Sequence, residues 1–281
     1  MSRLSSTVVF GCLVIGIVTL NAACTVKAEV KTKNRFVEDG VAANDTSTGD
    51  WNGEPITIQA EGVGASVNGG LDVTVSANAK KPSATARMLA MADAEDKTSA
   101  DQSIVDAKAT FKITNDGGTW KIVCGHGGSH GSSDSGSSGC EKLSVVIPAG
   151  DATHPITADP VASGNGSVNI DMHDATLKQL GVNGKGDITV RAPSTKGASV
   201  SVVAPNADDI SILLPTSFSA DDIELNADKD KITTTVSGLT LTDTASGKKG
   251  SHGTQGEGLA SVKATSQEFA GSTGAVSLGT F

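Results

Sequence analysis

Two cysteines and two histidines that lie close together in the chain are the residues best placed to do chemistry. Cys124 and Cys140 flank a stretch rich in glycine and serine, residues 125–139, and His126 and His130 lie four residues apart within it. Two thiolates and two imidazoles could form a tetrahedral zinc or copper site. In an oxidising compartment the cysteines would form a disulfide instead, and a disulfide offers no thiolate. We therefore predict a disulfide that closes this loop, with no metal or other cofactor, and keep a metal site at the two histidines as the alternative.

The remaining histidines do not belong to a recognisable catalytic pattern. His154, His173 and His252 are expected to be solvated residues of turns and loops. The chain contains no His-Glu-x-x-His motif and no phosphate-binding glycine loop. We predict that the protein is not an enzyme.

Two acidic pairs keep one enzymatic alternative open. Asp208/Asp209 and Asp221/Asp222 could supply the two carboxylates that glycoside hydrolysis needs. Acids that precede strands, however, commonly bind free backbone amides of turns. The chain has two tryptophans and no tyrosine, so rings that could stack on sugars are scarce.

The N-terminus has the order of a secretory leader. Residues 1–23 carry one basic residue, then an apolar stretch at 8–20 that is too short to span a membrane, then small residues before Cys24. This end resembles the lipobox of bacterial lipoproteins, in which the cysteine is acylated and becomes the new N-terminus. The resemblance implies a lipid on Cys24 and loss of Cys12 with the leader. Ordinary cleavage after Ala23, leaving a free cysteine, is the alternative.

Composition separates a tether from a folded domain and excludes one class of partner. Residues 24–50 are polar with mixed charge and are predicted to be a flexible tether, whereas residues 51–281 carry the strand pattern of a single domain. The net charge is −9, with 22 basic and 31 acidic residues. Nucleic-acid binding requires clustered basic residues, so we do not expect a nucleic-acid partner.

Short runs of alternating apolar and polar residues predict an all-β domain. Runs such as Ile188–Arg191 and Val200–Ala204 are bounded by glycine, asparagine or aspartate, as strands are. One stretch, residues 84–94, is rich in helix-forming residues and is predicted to be a short helix.

The spacing of these strands suggests a repeat. Six anchor residues follow one another at intervals of 9 to 13 residues, namely Ile188, Val200, Ile210, Ile223, Ile232 and Leu241. Stacked rungs of a solenoid have such a period, and so do the strands of a β-sandwich. We predict a right-handed single-stranded β-helix with one short helical insert, and keep the β-sandwich as the alternative.

Several glycine-aliphatic motifs resemble a known family. Residues 51–58 (WNGEPITI), 186–190 (GDITV), 214–225 (LPTSFSADDIEL) and 274–278 (GAVSL) are similar to the adhesin-like, head GIN-related domains of bacterial envelope proteins. The leader and the glycine-serine insert also resemble envelope lipoproteins of myxobacterial type. The resemblance covers residues 51–281 and implies a right-handed β-helix. It supplies no catalytic residues.

These observations predict an envelope protein with a structural or adhesive role. A lipid on Cys24 would hold it in a membrane, where Thr25 favours the outer membrane by resemblance to lipoprotein sorting signals. A rigid polar β surface would make weak, repeated contacts with polysaccharide or with another envelope protein. The alternative is a metal-binding or small-ligand module that uses the loop of His126 and His130.

Overall fold

The fold consists of two large mixed β-sheets packed face to face. The computed structural model describes residues 34–42, 49–62, 69–106, 110–125 and 136–281, all of which fall in one compact unit. Sheet 1 has nine strands within these ranges, which in the order in which they pair are β1 (Asn34–Ala42), β4 (Ser83–Ala94), β7 (Gly136–Pro148), β3 (Gly70–Ser76), β9 (Val168–Asp171), β11 (Ile188–Arg191), β13 (Ile210–Leu214), β19 (Val276–Thr280) and β15 (Ile232–Thr234).

Sheet 2 has ten strands among the described residues. In the order in which they pair, these are β16 (Thr240–Asp243), β17 (Gly247–His252), β14 (Ala220–Asn226), β18 (Leu259–Ser266), β12 (Ser199–Ala204), β10 (Leu177–Gly184), β8 (Ile156–Ala162), β2 (Ile56–Ala60), β6 (Thr119–Gly125) and β5 (Thr110–Asp116). A helix, α1 (Lys97–Asp106), and a short 3-10 helix, Lys229–Lys231, complete the described elements.

Alternation along each strand produces the core. In β11, Ile188 and Val190 are buried while Thr189 between them is half-buried. Side chains such as Ile58 of sheet 2 and Ile212 of sheet 1 belong to one continuous apolar cluster. Because successive side chains of a strand point to opposite faces, each sheet turns one face inward and leaves the other to solvent.

The predicted single-stranded β-helix is wrong. From β8 to β13 the chain does alternate between the two sheets, and these strands pair in parallel. Antiparallel strands nevertheless extend both sheets, as in the pairs β4–β7, β5–β6 and β14–β17. In addition, β18 lies between β12 and β14, and β19 between β13 and β15, out of chain order. Two mixed sheets around one core agree with the β-sandwich alternative, which has the same strand spacing.

The helix predicted at residues 84–94 is also wrong, because this segment forms β4. Ala86, Ala90, Ala92 and Ala94 are buried, and β4 pairs with β1 on one side and β7 on the other. Pairing on both sides outweighs the weak helix preference of alanine and methionine. The helix begins three residues after β4, where the Asp96 carboxylate accepts a hydrogen bond from the Ser99 backbone N–H, 2.9 Å.

Strand β1 lies within the segment for which the sequence predicts a tether. Residues Asn34–Ala42 pair with β4 along their whole length, so this part of residues 24–50 belongs to sheet 1. The leader, Cys24 and the rest of the predicted tether up to residue 33 lie outside the described residues. Within the part of the chain that the structure describes, no helix is both long and apolar enough to cross a membrane.

Candidate functional site

The predicted disulfide is confirmed, and it joins the two sheets. Cys124 lies in β6 of sheet 2 and Cys140 in β7 of sheet 1, with their Cα atoms 5.6 Å apart. Both cysteines are completely buried. Glu61 binds both strands through its backbone, donating to the Cys124 carbonyl (2.9 Å) and accepting from the Cys140 N–H (2.8 Å). The sulfurs are therefore bonded to each other inside the core rather than available as thiolate ligands.

The metal-binding alternative falls on residues that the structure does not describe. His126 and His130 lie within residues 126–135, outside the described ranges. Among the residues that are described, no group of three or more histidine, cysteine, aspartate or glutamate side chains could hold a metal ion.

The acidic pairs act largely as turn residues. Asp209 accepts a hydrogen bond from the Ala275 N–H (2.7 Å), and Asp221 accepts one from the Gly256 N–H (2.7 Å). Asp222 instead lies 3.5 Å from the Lys263 ammonium. Partial burial raises the pKa of Asp208, and the nearby carboxylates of Asp187 and Asp209 raise it further.

Of the three histidines expected to be solvated, His173 has the most contacts. Its Nδ1 lies 2.5 Å from Asp171 and its Nε2 lies 3.1 Å from Asp174. Arg191, on the neighbouring strand, binds the second oxygen of Asp171 at 3.1 Å and lies over the ring of Phe281. Burial raises the pKa of Asp171, but hydrogen bonds from His173 and the charge of Arg191 lower it to below its ordinary value. The sequence missed this cluster because 20 residues separate Asp171 from Arg191.

One row of small polar side chains crosses the outer face of sheet 1. Its members, which we call the polar row, occupy paired positions on neighbouring strands from β4 to β15. In order across the sheet they are Thr85, Ser144, Asp72, Asn169, Thr189, Ser211, Ser277 and Thr233. Each is exposed or half-buried. Because neighbouring strands lie about 4.8 Å apart, the row is about 34 Å long.

The polar row is almost without charge. Asp72 is its one acidic member, and its carboxylate is bound by Asn169 (3.1 Å) and by the Lys142 ammonium (2.5 Å). The other seven members are serine, threonine or asparagine. Every hydroxyl can donate one hydrogen bond and accept others, so the row offers both functions to a ligand at regular intervals.

The outer face of sheet 2 carries charges instead. Glu224 on β14 lies between Lys249 on β17 and Lys263 on β18, with nitrogen–oxygen distances of 3.2 and 3.4 Å. Lys263 also reaches Asp222, and we call these four side chains the charged ladder. The hydrogen bond from Lys249 is the main cause that lowers the pKa of Glu224, while Glu224 and Asp222 raise the pKa of Lys263.

A cleft of about 380 Å³ opens at one end of the sandwich. Three connections meet there: the residues before β2, the turn between β3 and β4, and the loop between β7 and β8. Trp51, Lys80, Asp151 and His154 contribute its larger side chains. We call it the Trp51 cleft. Trp51 is one of the two tryptophans of the chain, and no local sequence pattern places it beside Lys80, Asp151 and His154.

Comparison with known proteins gives one structural likeness. No family model matches the chain, and no curated protein matches it. The fold is similar to the 1.95 Å crystal structure of a provisionally assigned cell adhesion protein from Clostridium sporogenes ATCC 15579, with a TM-score of 0.49 and 12% sequence identity. The likeness covers 88% of this chain and 100% of that one. At this level it supports no functional argument, and the resemblance to head GIN-related domains stays a prediction.

Proposed function

We propose that this protein is an adhesive or structural component of the bacterial cell envelope, without catalytic activity, that contacts polysaccharide through the polar row. The observation that carries the proposal is the alignment of eight small polar side chains across sheet 1. Serine and threonine lose little conformational entropy when they are ordered, so each contact costs little. Many weak contacts along a rigid surface add up to firm attachment.

The lipid anchor on Cys24 and a location in the outer membrane belong to the same proposal. Export is supported by the buried disulfide, because such bonds persist in oxidising compartments. The measurement is the intact mass of protein extracted in detergent from its native envelope. We expect a chain that begins at Cys24, is heavier by its acyl groups and gains about two mass units on reduction. A chain without acyl groups would refute the anchor and leave the adhesive role to be tested separately.

The adhesive role is tested by retention of protein-coated beads under flow. The surfaces carry dextran, mannan or alginate, or the protein itself. The test variant combines Thr189→Glu with Ser211→Glu, two paired positions of the polar row. The two glutamates replace hydroxyls of the row with larger charged groups that repel a polysaccharide carboxylate. Because like charges at paired positions of adjacent strands also repel each other, the unfolding curve of the variant is first compared with that of the wild type. We expect about tenfold fewer retained beads on at least one polysaccharide.

The matched control combines Ser199→Glu with Ser261→Glu, two half-buried serines at paired positions of β12 and β18 on the outer face of sheet 2. It introduces the same side chain on the opposite face and is expected to leave retention unchanged. Retention of the row variant at the wild-type level would refute the proposal. Retention only on surfaces that carry the protein itself would replace polysaccharide by a protein partner.

A further inference from the structure

We propose that the Trp51 cleft binds a neutral sugar unit of a polysaccharide. The inference rests on the proposed function and narrows its ligand class, but it concerns a separate site from the polar row. A volume of about 380 Å³ lies at the lower end of the range for small-ligand sites. That size suits one or two sugar rings rather than a long segment of polymer.

Trp51 is held as a rigid platform on one wall of the cleft. Its backbone N–H donates to the Lys80 carbonyl (2.8 Å), and its indole Nε1–H donates to the Glu54 carbonyl (2.7 Å). The side chain packs against the core and remains half-buried, so part of the ring stays accessible. The axial C–H groups of a pyranose are apolar and slightly positive, and an indole face is apolar and slightly negative. A fixed indole therefore favours stacking of a sugar ring.

Hydrogen-bond donors and acceptors both surround the Trp51 ring. Asp50 and Asp151 offer carboxylate oxygens that can only accept hydrogen bonds, whereas the Lys80 ammonium can only donate them. Asn52 and His154 can do both, depending on the orientation of the amide and the ring tautomer. Two adjacent hydroxyls of a sugar need one group that accepts and one that donates. The cleft supplies this combination around one aromatic ring.

The loop between β7 and β8 contributes a turn to the cleft, and Asp151 stabilises this turn. One oxygen of its carboxylate accepts the backbone N–H groups of Thr153 and His154, both at 2.7 Å. These two hydrogen bonds are the main causes that lower the pKa of Asp151, so the group is a carboxylate at neutral pH. The other oxygen has no hydrogen bond within the described residues and remains available to a ligand.

Two glycines let this turn approach the Trp51 side of the cleft. Gly53 has a φ of +92°, and a Cβ placed on it would lie 3.1 Å from the His154 ring. Gly150 has a φ of +70°, and a Cβ there would lie 2.9 Å from the His154 carbonyl. A larger residue at either position would hold a strained backbone conformation, and at Gly150 it would also require the His154 carbonyl to shift. Glycine at these two positions therefore allows the close approach of residue 53 to His154 and the tight turn from Gly150 to His154.

The charges of the cleft exclude acidic sugars more than neutral ones. Two carboxylates, Asp50 and Asp151, face one ammonium, that of Lys80, so the local charge is negative when His154 is neutral. A uronate would bring a further negative charge next to Asp151. A neutral hexose pays no such penalty, which is why we propose neutral units as the ligand.

The test is calorimetric titration of the full chain with soluble hexasaccharides. The probes are oligomers of glucose, mannose and galactose, with oligogalacturonate as the acidic comparison. We expect at least one neutral oligomer to bind and the acidic one to bind at least tenfold more weakly. Trp51→Ala is expected to weaken binding of the neutral oligomer by at least tenfold. Tryptophan fluorescence gives a second readout, because Trp51 is partly exposed while Trp120, the other tryptophan, is fully buried.

Two further variants keep the test decisive if Trp51→Ala perturbs the fold. Asp151→Asn retains an oxygen for the turn but removes the charge, and we expect binding to fall about fivefold. Phe269→Ala is the matched control, since it removes an aromatic side chain that is 63% exposed and does not line the cleft. Unfolding curves of all variants are compared first.

Each outcome separates this site from the proposed function. No binding of any neutral oligomer, or equal binding by wild type, Trp51→Ala and Asp151→Asn, would refute the cleft site. Loss of binding in Phe269→Ala to the same extent would indicate unspecific stacking and refute it as well. If the cleft variants lose oligosaccharide binding while bead retention depends only on the polar row, the cleft site stands and the two sites act separately. If bead retention fails in wild type but the titration succeeds, the adhesive role falls and the sugar site remains.

Discussion

The two outer faces of the sandwich share one core but differ in chemistry. On sheet 1 the polar row is nearly uncharged, whereas on sheet 2 the charged ladder links Lys249, Glu224 and Lys263 by ion pairs. The inner faces of both sheets contribute apolar side chains to the same cluster. The alternation of side chains along each strand therefore determines which residues face water, but it does not determine whether those residues are charged or neutral. An uncharged face suits contacts that tolerate salt, because screening acts on charges.

The largest expected effect comes from the core that both faces share. Ile58→Ala in sheet 2 and Ile212→Ala in sheet 1 each remove a side chain that is at most 1% exposed. We expect each to lower the free energy of unfolding by about 2–5 kcal/mol, through lost burial and the cavity left behind. Urea unfolding monitored by circular dichroism measures this. Two separate transitions would show that the sheets do not form one cooperative unit.

Loss of the disulfide should be the next largest effect. Cys124 and Cys140 enclose 15 residues, and opening such a loop is expected to cost about 3 kcal/mol in the chain-entropy model. Because the bond joins β6 of sheet 2 to β7 of sheet 1, both sheets should be destabilised together. Urea unfolding of the wild type with and without reductant measures the difference, and the double variant Cys124→Ala/Cys140→Ala should show no effect of reductant. An unchanged midpoint on reduction of the wild type would contradict the prediction.

Lowering the pH should weaken the ion pairs of the charged ladder before it changes the contacts of the polar row. The pKa of Glu224 is held below its ordinary value of 4.5, chiefly by Lys249, so its contribution is present above pH 4.5 and lost as the pH falls through the lowered value. We expect Glu224→Gln to cost about 0.5–1 kcal/mol at pH 7. The difference between wild type and variant should shrink below pH 4.5 and in concentrated salt.

The matched measurement on sheet 1 is Asn169→Ala, which removes a neutral member of the polar row. The change in the free energy of unfolding caused by Asn169→Ala should depend less on salt concentration than that caused by Glu224→Gln, because Asn169 is not itself part of an ion pair. A salt dependence as large as that of Glu224→Gln would remove the proposed contrast between the two faces.

The smallest effect is expected within the polar row itself. Ser211 is half-buried, and no hydrogen bond of its side chain is present in the described structure. Ser211→Ala should change the free energy of unfolding by less than about 0.5 kcal/mol. Chemical denaturation checks this value, with Ile212→Ala on the same strand as the internal reference. A cost above about 1 kcal/mol would mean that the row serves stability rather than contact.

Local pattern was sufficient for many strands but not for all of them. The runs at Ile188–Arg191 and Ile210–Leu214 form β11 and β13 because alternation of β-branched residues favours a half-buried strand. β17 lies in a glycine-rich stretch, GKKGSH, and no local preference predicts it. It forms because β14 and β16 supply hydrogen-bonding partners on both sides. The same reason explains why residues 84–94 form β4 rather than a helix.

The alternation that builds the core could be read from residue type along each strand. The pairing of Cys124 with Cys140 could be predicted as well, because the resemblance of the N-terminus to a lipoprotein leader sets Cys12 and Cys24 aside and implies an oxidising compartment. Tertiary structure alone decided the sheet order, the polar row and the Trp51 cleft. Thr85 and Thr233 lie at opposite ends of one row, and Trp51 and His154 line one cleft, only because distant strands align in register. Register is fixed by burial of one whole face at once, and that is a property of the assembled sheets rather than of any single segment.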